Sequence, residues 1–565
     1  MAPRAAARVF TLAPCVCLWL CALSPLLAAP SVAALGAPLP GSVVSSVSSL
    51  RALRSSGNST LYTAETSPAS AAYPDDPYLL HLRGDPRSVG YDYGVLAGSM
   101  AKQNYDSFLA TLLGGIGNKV ERDAVQFGLE LVADWQWGYL RAYTPQKYLD
   151  ELQGLREGGQ AQGVEDLDKL AQRMITLANA PGDAQDIIFV LVDELLSRVD
   201  DAGAVPAALS VPEAPDALRA LQRWARSEAG GAALGHSCSM VAAWGSRTAD
   251  GRVLSSRNLD WNKDTGVAHR KAVTVYETTE EAPYATVGFF GMVGALAGMS
   301  ASGVSVHEAN LEETHISFRG FPWVLRLRHV MGTTDGSLDD AVGIFNATQS
   351  TVGFNHMVAS AVEDRATVME TFAGYLAAFG DDDPRERRAV FSDNVTLAGA
   401  PLREAVWRTN HPYDPVALQN YQWTVARDAW SYKRYFYVAE ALRAYEAAGV
   451  GMTPEQMINV TAIVAGKGQD YPYTCATPNN PGDNVISVVY APAEGVMWPA
   501  WESGTAEQWM PAACNAYVQF DMNALQLTQL PWGVQRQQQQ RRRAGVAAWP
   551  RKSAASGAGA VAAAA

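Results

Sequence analysis

The chain has 565 residues, 48% of them hydrophobic, and a formal net charge of −13. That apolar fraction is ample for a buried core and excludes a wholly disordered chain. Removing the two arginines of residues 1–33 and the six basic residues after 530 leaves the body near −21, which should repel nucleic acid.

Residues 1–33 read as a signal peptide: Arg4 and Arg8 precede an apolar stretch from Val9 to Ala29, and small residues follow. Pro14, Pro25 and Pro30 argue against a clean spanning helix, so no transmembrane span is expected once this segment is removed. The expected route is secretory, to a lysosome-like compartment or outside the cell. Four Asn-x-Ser/Thr sequons, at Asn58, Asn346, Asn394 and Asn459, suit a glycoprotein on that route.

Residues 34–75 are rich in Ser, Ala, Gly and Pro and read as a linker. Residues 76–237 read as a mainly helical segment, with apolar residues spaced by three and four over 120–131 and 145–160, and a further helix over 214–228. The pattern then changes. Residues 239–244 read as a strand, Asp250-Gly251 as a turn and 253–259 as a second strand, which together make a hairpin. Strand-like runs follow at 272–277, 284–290, 293–297 and 303–309. Helices are expected at 322–331 and 337–349, then strands at 356–363 and 366–372. Residues 415–465 return to helix, and 484–491 with 494–498 read as a late hairpin. This order predicts a layered α+β body over 238–530. The Gln/Arg/Ala-rich tail, 531–565, reads as disordered.

Of the six cysteines, Cys15, Cys17 and Cys21 lie in the apolar leader. Cys475 and Cys514 both sit among loop-like residues late in the chain and form the natural disulfide pair. Cys238 is left over. A free cysteine often packs as an inert small hydrophobe, and that reading stands beside a reactive one. The hairpin returns Arg257 and Asp260 towards Cys238. A guanidinium beside a thiol favours the thiolate, and a carboxylate there can orient the attacking group. A plain salt bridge at a hairpin end fits the same two residues.

At these residues the chain resembles a known family. Strand-initial Cys238, the Asp-Gly turn and Arg257-Asn258-Leu259-Asp260-Trp261 resemble the N-terminal-nucleophile (Ntn) hydrolases related to choloylglycine hydrolase and acid ceramidase. Within them the chain is most similar to the penicillin acyltransferase-like branch (acyl-coenzyme A:6-aminopenicillanic acid acyltransferase). Leu82-Arg83-Gly84 with Gly90, Gly94 and Gly98 resembles that branch's opening glycine pattern. Tyr148-Leu149-Asp150-Glu151-Leu152-Gln153-Gly154 resembles its next helix, and Thr409-Asn410-His411 its Thr-Asn-His motif.

The resemblance implies a four-layer αββα sandwich. It also implies a mainly helical precursor segment (alpha chain, 76–237) that is cut from the catalytic beta chain (238–530) at the Ser237–Cys238 bond. Cys238 would be the nucleophile, Arg257 and Asp260 would hold and polarise it, and Asn410 would donate to the oxyanion. The family usually has Gly where this chain has Ser237, and Gly-Met-Asn where it has Gly298-Met299-Ser300. The Ser300 N–H remains a candidate oxyanion donor, and His411 a candidate pocket residue. No cofactor or metal is implied; His307-Glu308 and His315 lack metal-ligand spacing. The implied partners are a small acylated substrate, lipid-derived or a coenzyme A thioester, and the alpha and beta chains of one precursor. Residues 289–297 and 318–324 are apolar enough to line an acyl pocket. Two alternatives stand: an inactive glycosylated lumenal binding protein on the same fold, and a phospholipase B-like ester hydrolase.

Overall fold

The structure is a computed structural model; it describes residues 47–66, 77–178, 212–227, 237–261 and, with short breaks, 267–528. The leader, Asn394, Cys475 and the tail therefore lie outside the described residues. Among the described residues no helix is long and apolar enough to cross a membrane.

The chain opens with β1 (Val47–Ser56), β2 (Ser59–Thr66) and β3 (Tyr78–Gly84). Among the described residues five helices follow: α1 (Pro86–Leu112), α2 (Lys119–Leu140), α3 (Gln146–Ala161), α4 (Leu167–Ala178) and α5 (Ala214–Ala225). Then come β4 (Ser237–Ala243), β5 (Leu254–Asp260), β6 (Lys271–Thr278), β7 (Tyr284–Phe289), β8 (Gly298–Ser300) and β9 (Val304–Asn310). Helices α6 (Trp323–Thr333) and α7 (Leu338–Ala347) lead to β10 (Phe354–Ser360), β11 (Arg365–Phe372) and β12 (Tyr375–Phe379). A small ladder pairs β13 (Ala389–Val390) with β14 (Thr396–Leu397). The rest is β15 (Ala405–Arg408), α8 (Pro415–Asn420), α9 (Ala429–Ala447), α10 (Pro454–Ala462), β16 (Asn484–Ala491), β17 (Val496–Trp501), β18 (Gln519–Asp521) and β19 (Gln526–Thr528).

The strands form two large sheets. One has ten strands, in the order β1-β2-β3-β6-β7-β8-β9-β10-β11-β12; the other has seven, in the order β15-β4-β5-β16-β17-β18-β19. β9 lies against β4 and β5, and β11 against β4 and β15, so the sheets face each other. Helices α9 and α10 cover the back of the seven-stranded sheet, while α1, α6 and α7 pack on the ten-stranded one. This is the expected four-layer α+β sandwich. Strands buried on both faces explain the nearly continuous apolar runs. All eight residues of β16 and all six of β17 are buried, and each fully buried Val or Ile side chain contributes roughly 1.5–3 kcal/mol.

Local signals account for several element ends. Asp85 caps α1 by accepting from the Ser88 N–H, with Pro86 in the first turn. Ser337 caps α7 by accepting from the Asp340 N–H at 3.2 Å, as the Ser-Leu-Asp-Asp sequence predicts.

Two expectations are corrected. The supposed linker 34–75 contains β1 and β2. Gly57-Asn58 turns the chain, Gly57 at φ +53°, and the buried Asp92 carboxylate accepts from both Ser56 and Ser59 hydroxyls at 2.6 Å. Its Ser-rich composition hid a hairpin whose Leu61 is wholly buried. Residues 76–237 are mainly helical where they are described, and β3 joins them to the rest by pairing in parallel with β6 from Tyr78↔Ala272 to Gly84↔Thr278. Residues 293–297 are not a strand: they cross between β7 and β8 in an irregular path, with Gly291 at φ +99°.

The glycine pattern also acquires a physical meaning. Helices α1 and α3 pack so closely that a Cβ on Gly154 would sit 2.0 Å from the Arg87 carbonyl, and one on Gly90 1.9 Å from that of Glu151. The repeat is a helix-contact stripe between α1 and α3.

Candidate active site

β4 and β5 pair in antiparallel register, with Cys238 opposite Leu259, Met240 opposite Arg257 and Ser237 opposite Asp260. Directly opposed residues share a face and neighbours alternate. Cys238 and Arg257 therefore point the same way, into the space between the sheets. Arg257 Nη2 lies 3.5 Å from Cys238 Sγ. Both side chains are buried, and Cys238 has no exposed surface.

Asp260 points the other way, towards the α10 side. Its Oδ2 accepts from the Ser237 hydroxyl at 3.3 Å, and its Oδ1 from the Gly466 N–H at 3.0 Å and Asn484 Nδ2 at 2.8 Å. It thus grips the residue before Cys238 rather than the thiol. Burial pushes its carboxyl above the usual range, against the pull of Arg434 and these donors.

Asn410 follows β15 and meets Cys238 with its amide oxygen. Oδ1 accepts from the Cys238 N–H at 3.0 Å and from Arg434 Nη2 at 2.7 Å. Its Nδ2 donates to the backbone carbonyl and Oδ1 of Asn310, at 3.0 and 2.6 Å. The two donors on Oδ1 fix the amide's orientation. In this state Asn410 therefore does not offer the N–H donor expected for an oxyanion.

The sequence reading missed two charged residues. Arg434, on α9, donates Nη1 to the Cys238 carbonyl and, at 2.8 Å, to Ser239 Oγ. Glu308, on β9, is ion-paired with Arg257. All seven residues of β9 are buried. An acid in such a strand demands a cation, and that demand was the available signal. An arginine within the aromatic run of α9 carries the same message.

Burial, with Glu308, reverses the expected state of the thiol. Arg257 alone would favour thiolate, but Glu308 neutralises it. Burial pushes the Cys238 thiol far up, Glu308 adds to that, and Arg257 offsets only part. In the intact chain Cys238 is a neutral thiol.

Ser300 and His411 are not brought to Cys238. Ser300 Oγ donates to the Met331 carbonyl at 2.6 Å and meets Ser302 Oγ at 2.9 Å. His411 Nδ1 lies 2.8 Å from Ser431 Oγ, and its ring sits among Tyr413, Tyr432 and Tyr435. Burial, with Arg408 and Arg434 nearby, holds His411 neutral. The 289–297 and 318–324 runs pack as core: Phe290 against Tyr93, and Trp323 against Phe354.

Among the described residues Cys238 is the free cysteine and Cys514 is disulfide-bonded. Asn58 and Asn346 are exposed. Asn459 is 4% exposed inside α10, where a glycan has no room, which removes it from the acceptor set.

Residues 246–505 match the family model described as acyl-coenzyme A:6-aminopenicillanic acid acyl-transferase. That stretch is similar to the penicillin acyltransferase family. It holds Arg257, Asp260, Glu308, Asn410, Arg434 and Asn484, while Cys238 lies just ahead of it. The chain is 23% identical over 286 residues, 50% of its length, to an uncharacterized protein of Archaeoglobus fulgidus. It is 25% identical over 150 residues, 26% of its length, to protein dcd1B of Dictyostelium discoideum. The chain spans 41% and 30% of those two relatives. Among solved structures it is similar to an N-acylethanolamine-hydrolyzing acid amidase ortholog of Caenorhabditis elegans: 15% identity, 45% of this chain, 93% of that one, TM-score 0.30. It is also similar to a mutant conjugated bile acid hydrolase from Clostridium perfringens: 13% identity, 52% of this chain, 97% of that one, TM-score 0.31. The chain's own layer order carries the fold assignment of the acyltransferase-like domain.

Proposed function

We propose that the protein is a self-processing cysteine amidohydrolase or acyltransferase whose nucleophile is Cys238. The observation that carries this reading is the convergence on one residue. The Cys238 N–H is held by Asn410, its carbonyl by Arg434 and its Sγ by Arg257, while Asp260 grips Ser237 across the bond to be cut.

In processing, the Cys238 thiol adds to the Ser237 carbonyl and the peptide C–N bond breaks. This forms a thioester and frees the Cys238 amine. Water then cleaves the thioester and leaves a Ser237 carboxylate. The new α-amine titrates near pH 7.7–8.0 when unperturbed and can take the thiol proton. The thiolate then adds to an acyl amide or thioester carbonyl, and the leaving group departs with a proton. Water or an amine resolves the acyl-enzyme. The substrate class is an acyl amide or thioester, and no cofactor enters. The apolar leader and the exposed Asn58 and Asn346 support a secretory route.

A second reading has one observation behind it. The fully buried, neutral Cys238 thiol suits a silent protein of the same fold. One experiment separates the two: express wild type and Cys238→Ala through a secretory route, then run a reducing denaturing gel with N-terminal sequencing. A fragment beginning at Cys238 in wild type only, followed by acyl-amide turnover, supports the enzyme. A wild type that stays whole after acidification removes it.

A further inference from the structure

A buried charge cluster away from Cys238 joins α3 to the acyltransferase-like domain. Lys147, Tyr148 and Glu151 share one side of α3. Arg328, on α6, is fully buried and bidentate to Glu151, at 3.0 and 2.8 Å. Its Nε donates to Tyr284 Oη at 3.0 Å, its Nη1 to the Val293 carbonyl at 2.6 Å, and its guanidinium lies 3.9 Å over the Tyr276 ring. Glu281, just before β7, accepts from Lys147 Nζ at 2.5 Å, Tyr148 Oη at 3.0 Å and Tyr284 Oη at 3.2 Å. Lys147 also meets His329 Nδ1 at 3.2 Å.

We propose that this cluster is the electrostatic interface holding the N-terminal segment to the acyltransferase-like domain, and that His329 makes it acid-sensitive. The inference stands apart from the chemistry proposed for Cys238. Two cations and two carboxylates balance, with His329 as a neutral fifth member. Lys147 is a donor without acceptor capacity, so the contact uses His329 Nδ1 as an acceptor, which only the neutral ring supplies. The groups facing His329 are Lys147 from α3, Glu281 from the loop before β7, and the Phe321 ring at 5.5 Å. Tyr148, Glu151, Arg328 and Tyr284 lie one contact further out. A proton on His329 converts the Lys147 contact into a repulsion.

The sign follows from linkage. Burial, then Lys147, lowers His329 from 6.5 to about 4, against the pull of Glu281. The open interface therefore binds the proton that the closed one refuses, and closure weakens as pH falls from 6.5 towards 4. Between pH 7 and 5 the open population should rise roughly twentyfold.

The test is hydrogen exchange on the full chain at pH 7, 6, 5 and 4, corrected for intrinsic rates. Segments 146–161 and 323–333 are compared with 484–491 as an internal reference. The expected result is that protection of the first two falls together, more than tenfold from pH 7 to 5 beyond any fall in the reference. In His329→Gln that acid step should vanish. Glu281→Gln should loosen both segments already at pH 7. Two segments that respond no more than the reference, or a His329→Gln protein that keeps the acid step, would overturn the proposal. If His329→Gln fails to fold, the wild-type comparison of the three segments alone decides.

Discussion

Glu308 and Arg257 are ion-paired within the sandwich, and the same guanidinium reaches Cys238 Sγ. The carboxylate thus controls how much positive charge the thiol feels. Glu308→Gln should lower the Cys238 titration by about 1–2 pH units, because the unscreened guanidinium then favours the thiolate. It should also destabilise the fold by about 3 kcal/mol, the usual effect of removing one partner of a buried pair. Ultraviolet thiolate titration against a Cys238→Ala baseline reads the first effect, and urea unfolding reads the second. An unmoved titration would show that Glu308 does not govern the thiol.

The two sides of the Ser237–Cys238 bond are woven into one sheet through β3 and β6. If that bond is cut, the pieces should co-elute in size exclusion at neutral pH and part only in denaturant. Separation in plain buffer would contradict the sheet order.

The α1–α3 contact leaves no room for a side chain at Gly154. Gly154→Val should destabilise by about 3 kcal/mol or more, at the upper end of overpacking effects. Gly138, near the exposed end of α2, meets nothing within 4 Å. Gly138→Ala there should stabilise by about 0.5–1 kcal/mol. Calorimetry on both variants checks the pair; equal effects would mean α1 and α3 do not pack as described.

His307, His356 and His411 are buried and neutral. Burial lowers each first, with Arg257 acting on His307, Arg326 on His356 and Arg408 on His411; His307 falls to about 3. All three lie below the unfolded value near 6.5, so their contribution is intact above that pH and is lost on acidification. Urea midpoints should fall from pH 7.5 to 5.5, with each ring contributing up to about 1.4 kcal/mol. A flat profile would show that these rings take protons in the folded state.

Periodicity made most of the fold legible. The β4–β5 hairpin, the α6–α7 pair and the β16–β17 hairpin all lie close to where apolar spacing puts them. The β1–β2 hairpin was hidden because Ser and Thr are so frequent in it that the stretch reads as a linker. The site was legible in part for a similar reason. The hairpin nominates Cys238, Arg257 and Asp260, the family resemblance adds Asn410, and all four meet around the Ser237–Cys238 bond. Which way Asp260 points follows from strand register, and which atom Asn410 presents follows from Arg434. Both depend on contacts between residues far apart in the chain.

The parallel seam between β3 and β6 has a consequence for synthesis. On the ribosome β3 emerges long before β6, so its hydrogen-bonding edge must wait unpaired while the helices α1 to α5 are made. A chain truncated at Ser237 would keep that edge open for good. Since β3 is largely apolar and buried in the complete fold, such a fragment is a template for strand addition by its own copies. The N-terminal segment is therefore a poor candidate for a free-standing folding helper, and its solubility depends on being translated in one piece with the strand that closes it.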